Sequence, residues 1–368
     1  MSTKKAYIAE SIFTGEEWLS GYGVITENGK ISGIVPAPEI PASIPVEHFE
    51  EGMLVPAFID LQIYGAHGKL FSVFPEPSAL YELDQYCRSG GAAFCMPTVA
   101  TNSYEVFRQC IDAVRRYWEE GGKGIMGLHM EGPWLNPVRR GAHIEAFIHQ
   151  PTAIQVKEIL DYGKDVVKFI TLAPEICGPE IMNYIASRGI IISAGHSNAT
   201  YSEARQGFQN GATTVTHLYN AMSPLQHRAP GLVGATMDDP TVMASIIPDG
   251  HHVDYAAIRI AKRVMKDRLF VITDAVTETN SGPYPHVFAG DKYEAGGILS
   301  GSALTMNRSV QRLVSFCEIE LEEALRMCSL YPAKVMGMQD QLGKIESGFE
   351  AKMTVLNKDL EVLNVIDN

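Results

Sequence analysis

Short apolar runs alternate with amphipathic stretches along most of this chain. The runs are rich in β-branched residues, as is typical of strands buried on both faces of a parallel sheet. Eight of them follow one another, at residues 53–62, 92–99, 124–131, 166–173, 189–195, 212–217, 242–248 and 269–274. The stretches between them have helical periodicity, as in residues 103–120. Eight strand–helix units over about 250 residues predict an α/β fold, a (β/α)8 barrel of the TIM type.

The two ends of the chain have a different pattern. Near the N-terminus short strand-like segments occur, and Asn28-Gly29 between two of them is typical of a two-residue hairpin turn. Strand and turn residues alternate again near the C-terminus. We therefore predict a small β-sandwich domain made of residues 1–52 and 342–368, beside a metal-dependent catalytic barrel of residues 53–341.

Composition and charge narrow the class of protein. The chain has 368 residues, of which 46% are hydrophobic and 20% are charged, as in ordinary globular proteins. A net charge of −13 argues against nucleic acid as a partner. No run approaches the roughly 18 apolar residues of a membrane span, and the N-terminus lacks the apolar core of a secretion signal. We expect a cytoplasmic protein without a membrane partner, in which the six cysteines are structural.

Four of the apolar runs end in a residue that binds metals or transfers protons. These residues are Glu131, His196, His217 and Asp274. The C-terminal ends of the strands form the active face of a (β/α)8 barrel, so the four side chains are expected to converge. Two imidazoles and one carboxylate form a three-ligand set that leaves a coordination position for water. An aspartate that faces this set is a candidate proton shuttle.

Each of these residues also has a structural interpretation. A buried histidine is usually a hydrogen-bonded core residue, Glu131 before Gly132-Pro133 can simply end a strand, and Asp274 can cap a helix. The joint placement at strand ends favours a metal centre. A carboxylate beside two imidazoles at the mouth of a barrel is costly to bury without a cation.

Seven longer motifs carry a resemblance to a known family. They are HMEGPWLNPVRRGAH from His129, SAGHSNAT from Ser193, THLYNAM from Thr216, HRAPG from His227, DGHHVDYA from Asp249, VITDAV from Val271 and GSALTM from Gly301. With these motifs the chain resembles the amidohydrolase superfamily and, within it, the N-acetylglucosamine-6-phosphate deacetylases, nearly from end to end.

The resemblance implies the same metal ligands as the strand ends do, namely Glu131, His196 and His217. Mixed imidazole and carboxylate donors suit zinc, although iron, cobalt and manganese also accept them. Many members of the superfamily open the barrel with His-x-His and bind two metals. Here Gln62 and Tyr64 occupy the matching positions, so one divalent ion per chain is expected.

Other residues near these positions have smaller expected roles. Gln62 can hydrogen-bond a metal-bound water, whereas a neutral tyrosine such as Tyr64 is not a normal ligand of a divalent ion. His67 lies a few residues further on, and we expect it to be a bystander.

The activity that the resemblance implies is deacetylation of N-acetylglucosamine 6-phosphate to glucosamine 6-phosphate and acetate, in amino-sugar catabolism or recycling. Asp274 would take a proton from a metal-activated water and later protonate the departing amine. His143 would stabilise the oxyanion. The structural alternative for His143 is a solvated loop behind Arg139 and Arg140.

Further residues are expected to bind the substrate, an amino-sugar phosphate. The resemblance implies that the phosphate is bound by Asn220, Ala221, Arg228 and His252. It also implies a homodimer in which Arg228 reaches into the neighbouring subunit. The sugar ring would be bordered by Ala142, His143, Leu304, Thr305 and Met306. As residues of surface loops, Arg228 and His252 also have a purely solvated alternative.

Two rival functions remain at the level of the sequence. One is an amidohydrolase that acts on a different amide, such as N-acetylgalactosamine 6-phosphate, a cyclic amide or an N-acyl amino acid. The choice between the two sugar epimers depends on one or two hydroxyl contacts, which the sequence does not place. The other is a barrel scaffold without catalysis. Retention of Asp274 together with all three ligands argues against the scaffold.

Overall fold

The structure is a computed structural model that describes residues 4–367. The strands in this range are β1 (Lys4–Phe13), β2 (Trp18–Leu19), β3 (Tyr22–Glu27), β4 (Lys30–Pro36), β5 (Val46–Pro56), β6 (Phe58–Ile63), β7 (Gly65–Ala66), β8 (Lys69–Leu70), β9 (Ala92–Ala100), β10 (Leu128–Glu131), β11 (Val167–Leu172), β12 (Ile191–Ala194), β13 (Ala212–Val215), β14 (Met243–Ile246), β15 (Leu269–Val271), β16 (Val287–Phe288), β17 (Lys292–Ala295), β18 (Ile298–Ser302), β19 (Lys352–Leu356) and β20 (Val362–Asp367).

The α-helices in the same range are α1 (Pro77–Ser89), α2 (Tyr104–Glu119), α3 (Ala153–Tyr162), α4 (Pro174–Ser187), α5 (Tyr201–Gln209), α6 (Gly231–Asp238), α7 (Tyr255–Met265), α8 (Met306–Cys317), α9 (Leu321–Cys328) and α10 (Leu330–Val335). Short 3-10 helices cover Ala37–Glu39, Pro137–Arg139, Glu145–Phe147 and Lys266–Arg268. Among the described residues, no helix combines the length and the hydropathy that a membrane span requires.

Eight strands form the predicted barrel. Their order in the sheet is β15, β14, β13, β12, β11, β10, β9 and β6. Each of the eight predicted apolar runs overlaps one of these strands, so the predicted barrel is confirmed. Backbone hydrogen bonds also link the two ends of the sheet: the N–H of Tyr64 donates to Ala275 (2.9 Å) and that of Asp274 donates to Gln62 (3.0 Å).

A layer of buried polar side chains connects neighbouring barrel strands. The hydroxyl of Thr216 lies 2.7 Å from that of Thr171 and 2.6 Å from that of Ser193. His129 Nε2 is 2.8 Å from the Thr171 hydroxyl, and burial lowers the pKa of His129 to about 4. These groups hydrogen-bond to one another, and His129, Ser193 and Thr216 lie on or beside strands that carry site residues at their ends.

Local signals start the barrel helices where the sequence predicts them. Thr200 and Glu203 form a capping box at the start of α5, since each side chain accepts a hydrogen bond from the other residue's backbone N–H. The side chain of Asp254 caps α7 by accepting from the N–H of Ala256. Each helix begins a few residues after a candidate site residue, so the caps also limit the length of the active-site loops.

The two ends of the chain pair with each other in one seven-stranded sheet. The order is β20, β19, β5, β1, β3 and β4, with β2 on the edge of β1. The predicted hairpin turn is present: Asn28 and Gly29 have φ values of 52° and 80° between β3 and β4. Buried side chains from both chain ends, including Val24, Leu54 and Val355, form the core of this sheet.

Two compact units divide the chain. One contains the residues up to Asp60 together with Gln85–Phe94 and the residues from Thr305 onward. The other consists of Leu61–Asp84 and Cys95–Leu304. The first unit is larger than the predicted segments 1–52 and 342–368, because α8, α9 and α10 group with the sheet of the chain ends.

Candidate metal centre

Three predicted ligand atoms converge at the end of β10. Glu131 is the last residue of that strand and is 2% exposed. Its Oε1 lies 3.2 Å from His196 Nε2 and 3.3 Å from His217 Nε2, and the two Nε2 atoms are 3.1 Å apart. Donors at about 2.0–2.1 Å from a tetrahedral ion lie about 3.3 Å from one another. The three atoms therefore form a triangle of the size that a divalent cation requires.

The backbone directs both histidines into the mouth of the barrel. His196 follows the end of β12 by two residues, and His217 follows the end of β13 by two. Both have left-handed conformations, with φ values of 47° and 35°. Non-glycine residues with such values cost energy and cluster at functional sites. The strands thus end in the same way at both predicted ligands.

Hydrogen bonds make His196 a suitable ligand. Its Nδ1 lies 2.9 Å from the carbonyl oxygen of Arg139. A carbonyl only accepts, so Nδ1 carries the proton and Nε2 offers its lone pair toward Glu131 and His217. Burial, more than any other effect, lowers the pKa of His196 and so favours the neutral ring.

His143 has the opposite tautomer. By distance alone it is also a candidate ligand, because Glu131, His143 and His196 each offer an atom within 4.8 Å of the others. However, His143 Nδ1 accepts a hydrogen bond from the backbone N–H of Thr101 (3.3 Å), so the proton lies on Nε2. Nε2 is 3.2 Å from Glu131 Oε2. His143 is therefore a hydrogen-bond donor at the site, and with 5% exposure it is not part of a solvated loop.

Glu131 is held as a carboxylate. Its Oε2 accepts a hydrogen bond from the hydroxyl of Tyr64 as well as facing His143. Burial by itself raises the pKa of Glu131. Contacts with the surrounding histidines, above all with His143, outweigh this effect, and the pKa of Glu131 lies well below its usual range.

Tyr64 stays protonated beside this carboxylate. Burial, and then the charges of Glu131 and Asp274, raise the pKa of Tyr64 well above its usual value. A neutral phenol is a hydrogen-bond donor and a poor ligand of a divalent ion, as expected from the sequence.

Asp274 and Glu131 share one side-chain amide. Gln62 Nε2 lies 2.7 Å from Asp274 Oδ1 and 3.1 Å from Glu131 Oε1. Asp274 is 8% exposed and has a φ of 53° just after β15. Gln62 Nε2 therefore lies within hydrogen-bonding distance of both carboxylates, and Asp274, the candidate proton shuttle, lies beside the candidate metal ligands.

His252 lies on the other side of Asp274. Its Nε2 is 3.9 Å from Asp274 Oδ2, and its Nδ1 donates to Asp249 Oδ2 at 2.6 Å. The hydrogen bond to Asp249 fixes the orientation of the ring. Asp249 was not among the predicted site residues, although it follows β14 as the other polar residues follow their strands. The same rule applied to that strand would have identified it.

A cavity of about 180 Å³ opens at these residues. It is lined by Tyr64, Glu131, Gly141, Ala142, His143, His196, His217, Asn220, Ala221, His252, Asp274, Leu299 and Ser300. It brings most of the predicted substrate-binding residues together with the metal ligands. Leu299 and Ser300, on β18, had no signal in the sequence, because β18 is a short strand outside the barrel pattern.

Several predicted residues do not line this cavity. Arg228 is exposed, on a loop between β13 and α6, and it borders an open surface groove with Arg139. Leu304 is buried, while Thr305 and Met306 start helix α8. His67 is exposed in the turn between β7 and β8 and does not line the cavity.

Comparisons with known proteins give matches over nearly the whole chain. The profile of the amidohydrolase family matches residues 53–367, and that of the NagA composite domain matches residues 6–50. The N-acetylglucosamine-6-phosphate deacetylase of Haemophilus influenzae is 33% identical, over 99% of this chain and 98% of its own length. The N-acetylgalactosamine-6-phosphate deacetylase of Escherichia coli O157:H7 is 27% identical, over 97% and 96%.

A solved structure is also similar over the whole chain. The crystal structure of N-acetylglucosamine-6-phosphate deacetylase from Pasteurella multocida superimposes with a TM-score of 0.94 at 34% identity, and it covers 99% of this chain and 98% of the other. The similarity therefore extends over both the barrel and the sheet of the chain ends.

Proposed function

Because the chain belongs to the amidohydrolase family, we propose that it hydrolyses the acetamide of N-acetylglucosamine 6-phosphate to glucosamine 6-phosphate and acetate. The main support for hydrolysis as the reaction class is that Glu131, His196 and His217 converge beside Asp274. The names of the relatives supply the substrate.

Glu131, His196 and His217 fit a single divalent ion in their spacing and in the lone pair that His196 presents. When bound, such an ion lowers the pKa of a coordinated water and polarises a carbonyl group. The donor set suits zinc, and iron, cobalt or manganese are the alternatives. Gln62 and Tyr64 stand where a second set of imidazoles would be needed, so we propose one ion per chain.

The remaining site residues supply the proton transfers. Asp274 takes a proton from the attacking water, while the Nε2–H of His143 donates to the carbonyl oxygen as negative charge develops on it. Asp274 then returns the proton to the amide nitrogen, and the bond between the carbonyl carbon and that nitrogen breaks. The amine leaves neutral. The acetyl group, which now carries the oxygen of the water, leaves as acetic acid and releases the second water proton to solvent to become acetate.

We further propose that the phosphate end of the substrate lies near Asn220, Ala221 and His252, which line the same cavity as the ligands. Asp249 would hold the ring of His252 in place. Arg228 does not line the cavity of its own chain. We propose that it binds the phosphate in the site of the neighbouring subunit of a homodimer. The homodimer, the role of Arg228 and a cytoplasmic location remain predictions.

N-acetylgalactosamine 6-phosphate is a second candidate substrate, because one relative with 27% identity carries that activity in its name. A single experiment separates the two candidates. Acetate release is measured with N-acetyl sugars of both configurations, phosphorylated and unphosphorylated, after chelation and re-addition of individual metals. We expect the phosphorylated glucose derivative to give the highest kcat/KM and the chelated protein to be inactive. Equal rates with unphosphorylated sugars, or full activity after chelation, would reject the proposal.

A further inference from the structure

Tyr64 lies where the first and the last strand of the barrel meet. It directly follows β6, and its backbone N–H donates to the carbonyl oxygen of Ala275 at 2.9 Å. Ala275 is the neighbour of Asp274 in the chain, and Tyr64 is 8% exposed. The backbone of Tyr64 is therefore fixed beside the metal centre, and its ring lines the cavity.

Two hydrogen bonds meet at the hydroxyl of Tyr64, and the direction of each is fixed. Gln62 Nε2 lies 2.8 Å from the phenol oxygen. The same nitrogen faces the carboxylates of Asp274 and Glu131, so it is the amide nitrogen, which only donates. The phenol oxygen thus accepts from Gln62, and its own proton is donated to Glu131 Oε2.

The two oxygens of Glu131 consequently have different surroundings. Oε1 faces the Nε2 atoms of His196 and His217, at 3.2 Å and 3.3 Å. Oε2 faces two donors, the hydroxyl of Tyr64 and Nε2 of His143. Carboxylates that bind metals are commonly oriented by such hydrogen bonds. Oε1 is therefore the oxygen directed toward the proposed ion.

The proton on His143 Nε2 has two possible acceptors. In the structure it faces Glu131 Oε2 at 3.2 Å, whereas the proposed reaction needs it on the carbonyl oxygen of the substrate. A single N–H cannot serve both acceptors fully. If His143 were the sole donor to Oε2, its turn toward the substrate would leave a buried carboxylate oxygen without a partner, which is costly. The hydroxyl of Tyr64 prevents this, because it stays on Oε2.

We propose that Tyr64 is a positioning residue: its hydroxyl holds Glu131 Oε2, so that Oε1 binds the ion and the Nε2–H of His143 is released to the substrate oxygen. This inference rests on the proposed deacetylation. It assigns the role to one oxygen atom, because phenylalanine would fill the same space without donating a hydrogen bond.

The first test measures metal binding without turnover. The dissociation constant of zinc is determined for the folded protein by competition with a chelator of known affinity. Tyr64→Phe should raise this constant by roughly 10–100-fold. Gln62→Leu keeps the phenol that donates to Glu131, so it should weaken zinc binding less than Tyr64→Phe does.

Tyr117→Phe is the matched control. Tyr117 is fully buried, its hydroxyl donates to a carboxylate oxygen of Asp84 at 2.9 Å, and it does not line the cavity. Its substitution removes the same kind of hydrogen bond from another part of the barrel. The dissociation constant of zinc and the kcat should both stay at the wild-type values.

The second test asks whether Tyr64 acts through His143. Values of kcat and KM are measured at saturating zinc for wild type, Tyr64→Phe, His143→Ala and the double variant. Tyr64→Phe should lower kcat about tenfold and leave KM within about twofold. In the His143→Ala background the same substitution should lower kcat by less than about twofold, since no imidazole proton remains to be released.

The outcomes separate this inference from the proposed function. Wild-type zinc affinity in Tyr64→Phe, a larger loss of affinity in Gln62→Leu, or an equal loss of kcat in both backgrounds would refute the role of Tyr64 while the deacetylation stands. A wild type that binds no divalent ion, or that releases no acetate from any N-acetyl amino-sugar phosphate, would refute the proposed function itself.

Discussion

The barrel centre and the loop that carries Arg228 hold their polar groups in contrasting ways. At the centre, Glu131 is 2% exposed and hydrogen-bonded on both oxygens, and His196 has its tautomer fixed by the carbonyl of Arg139. Arg228 lies exposed outside the cavity. A buried carboxylate and two imidazoles at 3.1–3.3 Å already define a site, whereas an exposed guanidinium acquires a function only from a ligand or a partner.

The largest effect should come from the centre. Asp274→Asn removes the group that accepts and returns the proton, so kcat should fall by roughly 10²–10⁴-fold. The metal content should stay at the wild-type value, because Asp274 is hydrogen-bonded to Gln62 and is not one of the three proposed ligands. Elemental analysis and acetate release check both parts. Asp238→Asn, at an exposed aspartate, is the control and should leave both unchanged. Loss of metal in the Asp274→Asn variant would show that Asp274 is itself a metal ligand.

A smaller and more selective effect is expected from the loop. Arg228→Ala should raise KM for the phosphorylated sugar by roughly 10–100-fold, since a hydrogen bond to a charged group contributes about 1.5–3 kcal/mol. The KM of the unphosphorylated sugar should hardly change. Arg263→Ala, at an exposed arginine on α7, is the matched control. An equal effect on both sugars would show that Arg228 does not bind the phosphate. A wild-type KM that does not depend on the oligomeric state would show that Arg228 does not act in the site of a neighbouring subunit.

A third prediction concerns the stability of the buried region and its dependence on pH. Burial lowers the pKa of His286 to about 4 from the usual value of about 6.5, so the folded protein resists protonation and the unfolded chain does not. The contribution of neutral His286 is complete above pH 6.5 and is lost as the pH falls toward 4. The loss is about 1.4 kcal/mol per pH unit. The difference in the free energy of unfolding between wild type and His286→Gln should follow this course. A constant difference between pH 7 and pH 4.5 would contradict the assignment.

Most of the fold could be predicted from the sequence because its signals are local. Each barrel strand is an apolar run, and the capping box at Thr200 and the turn at Asn28-Gly29 consist of neighbouring residues. The grouping of α8, α9 and α10 with the sheet of the chain ends could not be predicted in this way, since it depends on packing between segments that are distant in sequence.

The same contrast between local signals and long-range packing applies to the residues of the candidate site. Glu131, His196, His217 and Asp274 follow directly from strand ends, because the topology of a barrel brings those ends together. The role of Asp249 depends on a hydrogen bond to His252, and Leu299 and Ser300 enter the cavity from a short strand outside the barrel.

The proposed function depends on Glu131, His196 and His217 binding one divalent ion while His143 donates a hydrogen bond beside it. The most direct measurement is the metal content of wild type, His196→Asn and His143→Asn after dialysis against a weak chelator. We predict one ion per chain in wild type and in His143→Asn, and at least about tenfold weaker retention in His196→Asn. Loss of the ion in His143→Asn with full retention in His196→Asn, or a metal-free wild type that is fully active, would contradict this assignment of the ligands.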